Sequence, residues 1–219
     1  MNQLNAKTIF FDYDGTLHDS MAIYFPAFSK AYQALVESNQ APDKTWTYET
    51  VSKFLGQTPK EMWASFGSDI SETAKQNASK AIGNTMETLI RNEKANLYDG
   101  ALETLKVLKA RGYKLVFISN CKTQYMKNHT EIFNLDDYFD LMVCAEMYDY
   151  APKTKVLENI AKDFPKPHAI VGDRHHDMEA GTAHNMIKIA CTYGFGSSDE
   201  HQEADITIDD IKELQKIFI

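Results

Sequence analysis

Thr8-Ile9-Phe10-Phe11-Asp12-Tyr13-Asp14-Gly15-Thr16 is the stretch on which the fold turns. Four residues rich in apolar and β-branched side chains read as a strand buried on both faces. Two carboxylates and a turn dipeptide, Asp14-Gly15, follow it at once. Taken alone, an Asp-x-Asp pair is as often a solvated turn as a site, so the rest of the chain has to decide.

Further apolar runs repeat the pattern: Leu115–Ile118 (LVFI), Ala169–Val171 (AIV), Ile187–Ala190 (IKIA) and a weaker one at Leu141–Cys144. Helical periodicity fills the gaps between them. Leu102, Leu105 and Leu108 precede Gly112, a C-terminal stop, and Val156, Leu157, Ile160 and Ala161 recur at steps of three and four. Strands alternating with helices predict an open, parallel, Rossmann-like α/β sheet. The first two runs, however, lie roughly a hundred residues apart, where a crossover needs only about a dozen.

The intervening sequence is helical. Phe25, Phe28, Tyr32 and Leu35 mark one stripe, Val51, Phe54 and Leu55 a second, and Ala74, Ala78, Ala81, Met86, Leu89 and Ile90 a third. Thr58-Pro59-Lys60-Glu61 is a capping box with proline at the first helical position. The chain therefore divides into a catalytic core over residues 1–17 and 96–219 and an inserted helical cap domain over 18–95, expected above the carboxyl edge of the sheet. The core is re-entered through Leu97-Tyr98-Asp99-Gly100.

Composition sets limits on function. The 219 residues carry 23 Lys and Arg against 31 Asp and Glu, a net charge of −8, which argues against a broad nucleic-acid-binding face. The N-terminal apolar run is too short for a signal peptide or a membrane span. Cys121, Cys144 and Cys191 have no metal-ligand spacing, and an odd count suits free thiols in a reducing compartment. A cytoplasmic protein without nucleic-acid or membrane partners, monomer or homodimer, is expected.

Ligands in such sheets bind at the carboxyl ends of the strands. The first strand ends in Asp12-Tyr13-Asp14-Gly15-Thr16, the second in Ser119-Asn120 and the third in Gly172-Asp173-Arg174-His175-His176-Asp177, while Lys153 heads the helix before that last strand. Four carboxylates converging on one edge need a cation, and hard oxygen donors select Mg²⁺. Each fragment follows an apolar run in the same order, and three such coincidences favour a single magnesium-phosphate site.

These motifs resemble the haloacid dehalogenase superfamily, and within it the phosphoglycolate phosphatase-like members. Asp12-Tyr13-Asp14-Gly15-Thr16 with Asp19-Ser20 is similar to the first motif, Ser119-Asn120 to the second, Lys153 to the third, and Asp173 with Asp177 to the fourth. The resemblance implies that Asp12 attacks phosphorus and that Asp14 protonates the leaving oxygen and later activates water. It implies Mg²⁺ on the Asp12 carboxylate, the Asp14 main-chain carbonyl and Asp173, with Asp177 behind them or on a water of the ion. Ser119, Lys153, Asn120 and main-chain amides after Asp12, through Thr16, would hold the phosphoryl group. Lys155 is a rival to Lys153, since the usual Lys-Pro here reads Ala151-Pro152-Lys153-Thr154-Lys155. Asn185 stands where a glycine is common.

Gln57 and Lys60, in the loop before the proline-capped helix, are either plain connectors or contacts to the substrate's leaving group. Gly194-Phe195-Gly196 lacks the third glycine of a dinucleotide fingerprint and follows too late a strand. The implied activity is Mg²⁺-dependent hydrolysis of a small phosphomonoester through an aspartyl-phosphate: phosphoglycolate, a nucleoside monophosphate, a sugar phosphate or pyrophosphate. A phosphomutase shares all four motifs, and a non-enzymatic phosphosensing receiver module shares the acidic group, Ser/Thr and Lys.

Overall fold

Thr8–Phe11 forms β1, the strand around which the rest of the sheet is built, in a computed structural model that describes residues 4–55, 59–66 and 70–219. Lys114–Ser119 (β2), Leu141–Cys144 (β3), His168–Gly172 (β4), Ile187–Cys191 (β5) and Ile206–Ile208 (β6) complete a six-stranded sheet in the order β3-β2-β1-β4-β5-β6. Every pairing is parallel, with Phe11 opposite Phe117 on one side and Val171 on the other. The chain runs from β1 outward in one direction, then returns to β1 and runs outward in the other. The strand order therefore reverses beside β1, where open α/β sheets bind ligands.

The chain divides into two compact units, Met1–Asp19 with Leu97–Ile219, and Ser20–Asn96. The second unit is helical. Met21–Glu37 (α1), Tyr48–Ser52 (α2), Pro59–Ala64 (α3) and Glu72–Arg91 (α4) make it up, α4 starting at Ser71, whose Oγ accepts from the Ala74 amide at 3.3 Å. Phe28, Tyr32, Trp46, Phe54 and Phe66 pack ring to ring. Along α4 the stripe differs from the expected one: Ala81 is exposed, and Ile82, with Ala78 and Ile90, is buried. Ala78, Ile82 and Ile90 step by fours and eights along one face, which Ala81 leaves by about 100°.

Sheet alternation sorts the core unit into two layers. Ile9 and Phe11 of β1, with Leu115, Phe117, Ala169 and Val171 of its neighbours, join Leu105 and Leu108 of Ala101–Ala110 (α5), Met126 of Thr123–Phe133 (α6), and Leu214 and Ile217 of Leu214–Ile217 (α9). Phe10, Val116, Ile118 and Ile170 face the other way, against Val156, Leu157 and Ile160 of Lys153–Ile160 (α7) and Ala180 of His175–Ala183 (α8). Asn185 sits at φ 51°, the left-handed conformation that asparagine tolerates best after glycine, which accounts for its standing at a glycine-like position.

Candidate active site

Because β2, β1 and β4 are adjacent, their carboxyl ends bring Ser119, Asp12 and Asp173 to one edge. The Asp12 amide continues the ladder, donating to the Val171 carbonyl at 2.9 Å. Beyond it Tyr13 is wholly buried in the core, and Asp14 is about one-third exposed at 32%.

Lys153, at the first position of α7 and buried, places its Nζ 2.5 Å from Asp12 Oδ1 and 2.5 Å from Asp177 Oδ1. Lys155 is exposed and pairs with Glu158 at 2.9 Å. Asp177 is buried in the first turn of α8 and accepts from the Arg174 amide at 3.1 Å, closing the helix N-terminus. Asp12, Asp173 and Asp177 lie with ligating oxygens within 4.8 Å of one another.

Three buried carboxylates and one ammonium leave the cluster electrically unbalanced. Burial, partly offset by Lys153 and reinforced by Asp177, pushes Asp12 up from 3.8 to about 7. Burial and the Asp12 charge push Asp173 well up too. Burial works against the Lys153 charge, but Asp12 and Asp177 outweigh it and hold the ammonium above its ordinary value. Asp173 Oδ2 accepts from the Phe195 amide at 2.6 Å, while its Oδ1 is buried without a hydrogen-bond partner. An orphaned carboxylate oxygen among three carboxylates, with no thiol or imidazole in the group, fits a hard divalent cation.

Glycines make the close approach to Asp173 possible. Gly15 has φ 83°, and a Cβ there would fall 2.2 Å from Asp173 Oδ2. A Cβ on Gly194 would fall 2.4 Å from Asp173 Cβ and 2.4 Å from the Gly15 carbonyl oxygen. The Gly194-Phe195-Gly196 segment, set aside as a dinucleotide fragment, thus wraps the Asp173 carboxylate. Its place after the end of β5 was the signal that could have marked it.

Ser119 is buried at the end of β2, and Asn120 after it is exposed. Thr16 is buried with no partner for its Oγ1, and its carbonyl accepts from the Tyr193 hydroxyl at 2.8 Å. Gln57 lies outside the described residues, as does the side chain of Lys60. Of the two histidines in the fourth motif, His175 places Nδ1 2.9 Å from Glu200 Oε2, which also takes Arg174 Nε at 2.8 Å.

Two residues that the motifs did not point to touch Asp14. The Tyr125 hydroxyl donates to Asp14 Oδ1 at 2.7 Å, and His18 Nδ1 lies 3.0 Å from the same oxygen. Burial and the Asp14 charge push the Tyr125 phenol well up, so it remains a donor. His18, four residues after Asp14, was visible in the sequence; Tyr125, from α6, had no local signal.

The match to known proteins agrees with this geometry. The family model described as haloacid dehalogenase-like hydrolase matches residues 9–191. The chain is similar to a phosphoglycolate phosphatase of Aquifex aeolicus, 27% identical over 97% of this chain and 96% of that one. It is also similar to pyrophosphatase PpaX of Bacillus mycoides, 24% identical over 98% of each. CbbY from Rhodobacter sphaeroides, solved in complex with phosphate, shares the fold with a TM-score of 0.75 at 20% identity, over 96% of each chain. With the family model spanning both strand-end carboxylate motifs and the sheet between them, the chain belongs to the haloacid dehalogenase-like hydrolases and is an enzyme of that family, with phosphatases among its relatives.

Proposed function

We propose that this enzyme is a magnesium-dependent phosphatase that hydrolyses a small phosphomonoester through an aspartyl-phosphate on Asp12. The observation that carries the proposal is the buried group in which Lys153 Nζ lies 2.5 Å from Asp12 Oδ1 while Asp173 and Asp177 close to within 4.8 Å. Phosphoryl transfer spreads negative charge over the equatorial oxygens, so cationic groups fixed there lower its barrier.

Asp12 forms the bond to phosphorus as the bond to the leaving oxygen breaks. Asp14 gives that oxygen its proton. In the second half Asp14 takes a proton from water, whose oxygen attacks the phosphorus and returns Asp12 as a carboxylate. Lys153 and Ser119 hold the phosphoryl oxygens, with Asn120 and the amides through Thr16. The Asp12 carboxylate, the Asp14 carbonyl and Asp173, with Asp177 behind them, would hold Mg²⁺, which would supply positive charge to keep Asp12 ionised and to offset the charge of the phosphate.

The helical unit over residues 20–96 serves as the cap, and Gln57 and Lys60 are its candidate contacts to the leaving group. The substrate is a small phosphorylated metabolite: phosphoglycolate and pyrophosphate follow from the relatives' names, and nucleoside monophosphates and sugar phosphates share the same chemistry. Free thiols at all three cysteines support a cytoplasmic setting, and no helix among the described residues is long and apolar enough to cross a membrane.

Phosphate release from a panel of these compounds tests the proposal. Many turnovers per chain with Mg²⁺, none with EDTA, little with Ca²⁺ and none for Asp12→Asn are expected. Full activity after chelation, or steady-state turnover by Asp12→Asn, refutes it. Stimulation by an added sugar bisphosphate with no net phosphate release would identify a phosphomutase instead.

A further inference from the structure

A buried cluster of aromatic and imidazole rings lies against the site and is not used by the chemistry above. The Tyr13 hydroxyl is hydrogen-bonded to His129 Nδ1 at 2.7 Å, and its ring stacks on His18 at 5.2 Å with 10° between the planes. The His129 ring is 4.5 Å from that of His18 and 4.3 Å from that of Tyr125. Tyr13, His18 and His129 are wholly buried. Two members of this cluster, Tyr125 and His18, meet at a single atom, Asp14 Oδ1, at 2.7 and 3.0 Å, and lie 3.2 Å from each other.

We propose that Tyr125 and His18 are positioning residues, which fix the Asp14 carboxyl in the orientation that delivers its proton to the leaving oxygen. The inference rests on the acid and base role of Asp14 proposed above. Asp14 stands in a loop past the end of β1, one-third exposed, on a side chain with two torsions. A carboxyl turning among its rotamers would spend only part of its time in line, and a misplacement of about 1 Å costs on the order of 10²-fold in rate. Packing alone would satisfy a buried phenol and imidazole with any acceptor. Here both converge on one oxygen of a catalytic carboxyl. The Tyr125 ring is held by Tyr13, His18 and His129, so its hydroxyl is aimed by rings that are themselves wholly buried.

Tyr125→Phe keeps the packed ring and removes the hydroxyl. It is compared with Asp14→Asn and the double variant on two substrates: the alkyl phosphate turned over best in the panel, and p-nitrophenyl phosphate, whose leaving group needs little protonation. Tyr125→Phe is expected to lower kcat on the alkyl phosphate about tenfold or more, with KM within about twofold, and to leave the aryl phosphate within about threefold. Asp14→Asn should show the same selectivity more strongly, and Tyr125→Phe should cost nothing further in that background. His18→Leu should repeat the pattern, with His18→Asn, whose amide can stand near Nδ1, recovering part of the loss.

If Tyr125→Phe affects both substrates alike, affects neither, or adds its full loss to Asp14→Asn, the positioning role is wrong while the acid role stands. If Asp14→Asn itself shows no leaving-group selectivity, the acid role fails and the inference with it. Should His18→Leu not fold, judged by melting temperature, the Tyr125→Phe comparison decides alone.

Discussion

Asp12→Asn should make the metal-free protein more stable while it stops turnover. Burial raises the Asp12 pKa from 3.8 to about 7, so in the fold its charged form is disfavoured relative to the unfolded chain. The sign follows from linkage. A raised pKa contributes stability that is fully present below 3.8 and is lost as pH rises through about 7. At about 1.36 kcal/mol per unit, ionising Asp12 costs about 4 kcal/mol at pH 8 and about 1 kcal/mol at pH 4.5. Asparagine imitates the protonated acid in shape and charge and leaves Lys153 its Asp177 partner at 2.5 Å. Urea unfolding in EDTA should therefore show Asp12→Asn gaining about 4 kcal/mol at pH 8, shrinking to about 1 kcal/mol at pH 4.5. Saturating Mg²⁺ should raise the wild-type midpoint more than the variant's, because the ion binds the charged carboxylate. A variant less stable than wild type at pH 8 without metal, or a gain independent of pH, would refute the electrostatic account of the cluster.

Lys153→Ala should lower kcat/KM by about 10²-fold or more, as removal of a charge-stabilising donor does, whereas Lys155→Ala, which breaks only a surface pair with Glu158, should stay within about twofold. Steady-state kinetics on the best substrate decides, and the reverse order would move the third motif by two residues. Burial, with the His18 charge, lowers His129 from 6.5 to about 3, so its stabilising neutral form is fully effective above pH 6.5 and lost progressively below it. Through this group the wild type should lose about 2 kcal/mol between pH 7 and pH 5, and His129→Gln should flatten that slope in urea titrations. Gly15→Ala should abolish Mg²⁺-induced stabilisation in thermal melts, because its Cβ would fall 2.2 Å from Asp173 Oδ2 at a φ of 83°; an unchanged Mg²⁺ response would show that Asp173 can move aside.

What the sequence disclosed follows from burial. Strands covered by helices on both faces become short unbroken apolar runs, so β1, β2, β4 and β5 stood out, and the chemistry lay directly after them. Ile206–Ile208 did not, because an edge strand of Ile-Thr-Ile between Asp205 and Asp209 alternates too briefly to separate from a loop. Lys153 could be placed only to within two positions until the first turn of α7 buried it and left Lys155 outside. Tyr125 stayed hidden for a different reason. Its partner, Asp14, is 111 residues away, and only the pairing of β1 with β2 brings them together. The Phe195 amide on Asp173 is a main-chain contact, which no residue type announces.

The Tyr98 amide lies 2.9 Å from the Leu17 carbonyl, so the chain departs from the core and rejoins it through one hydrogen-bonded doorway. Both apolar clusters of the sheet unit are made wholly of residues before Asp19 and after Asn96. Whatever is threaded through that doorway can lengthen, shorten or change its sequence without altering a strand register or a core contact. Loop closure would charge it only logarithmically for length. The 77-residue stretch from Ser20 to Asn96 is in this sense a cartridge: the strand registers and apolar clusters of the sheet unit are complete without it, so the inserted chain is free to drift in sequence while the strand ends keep their geometry.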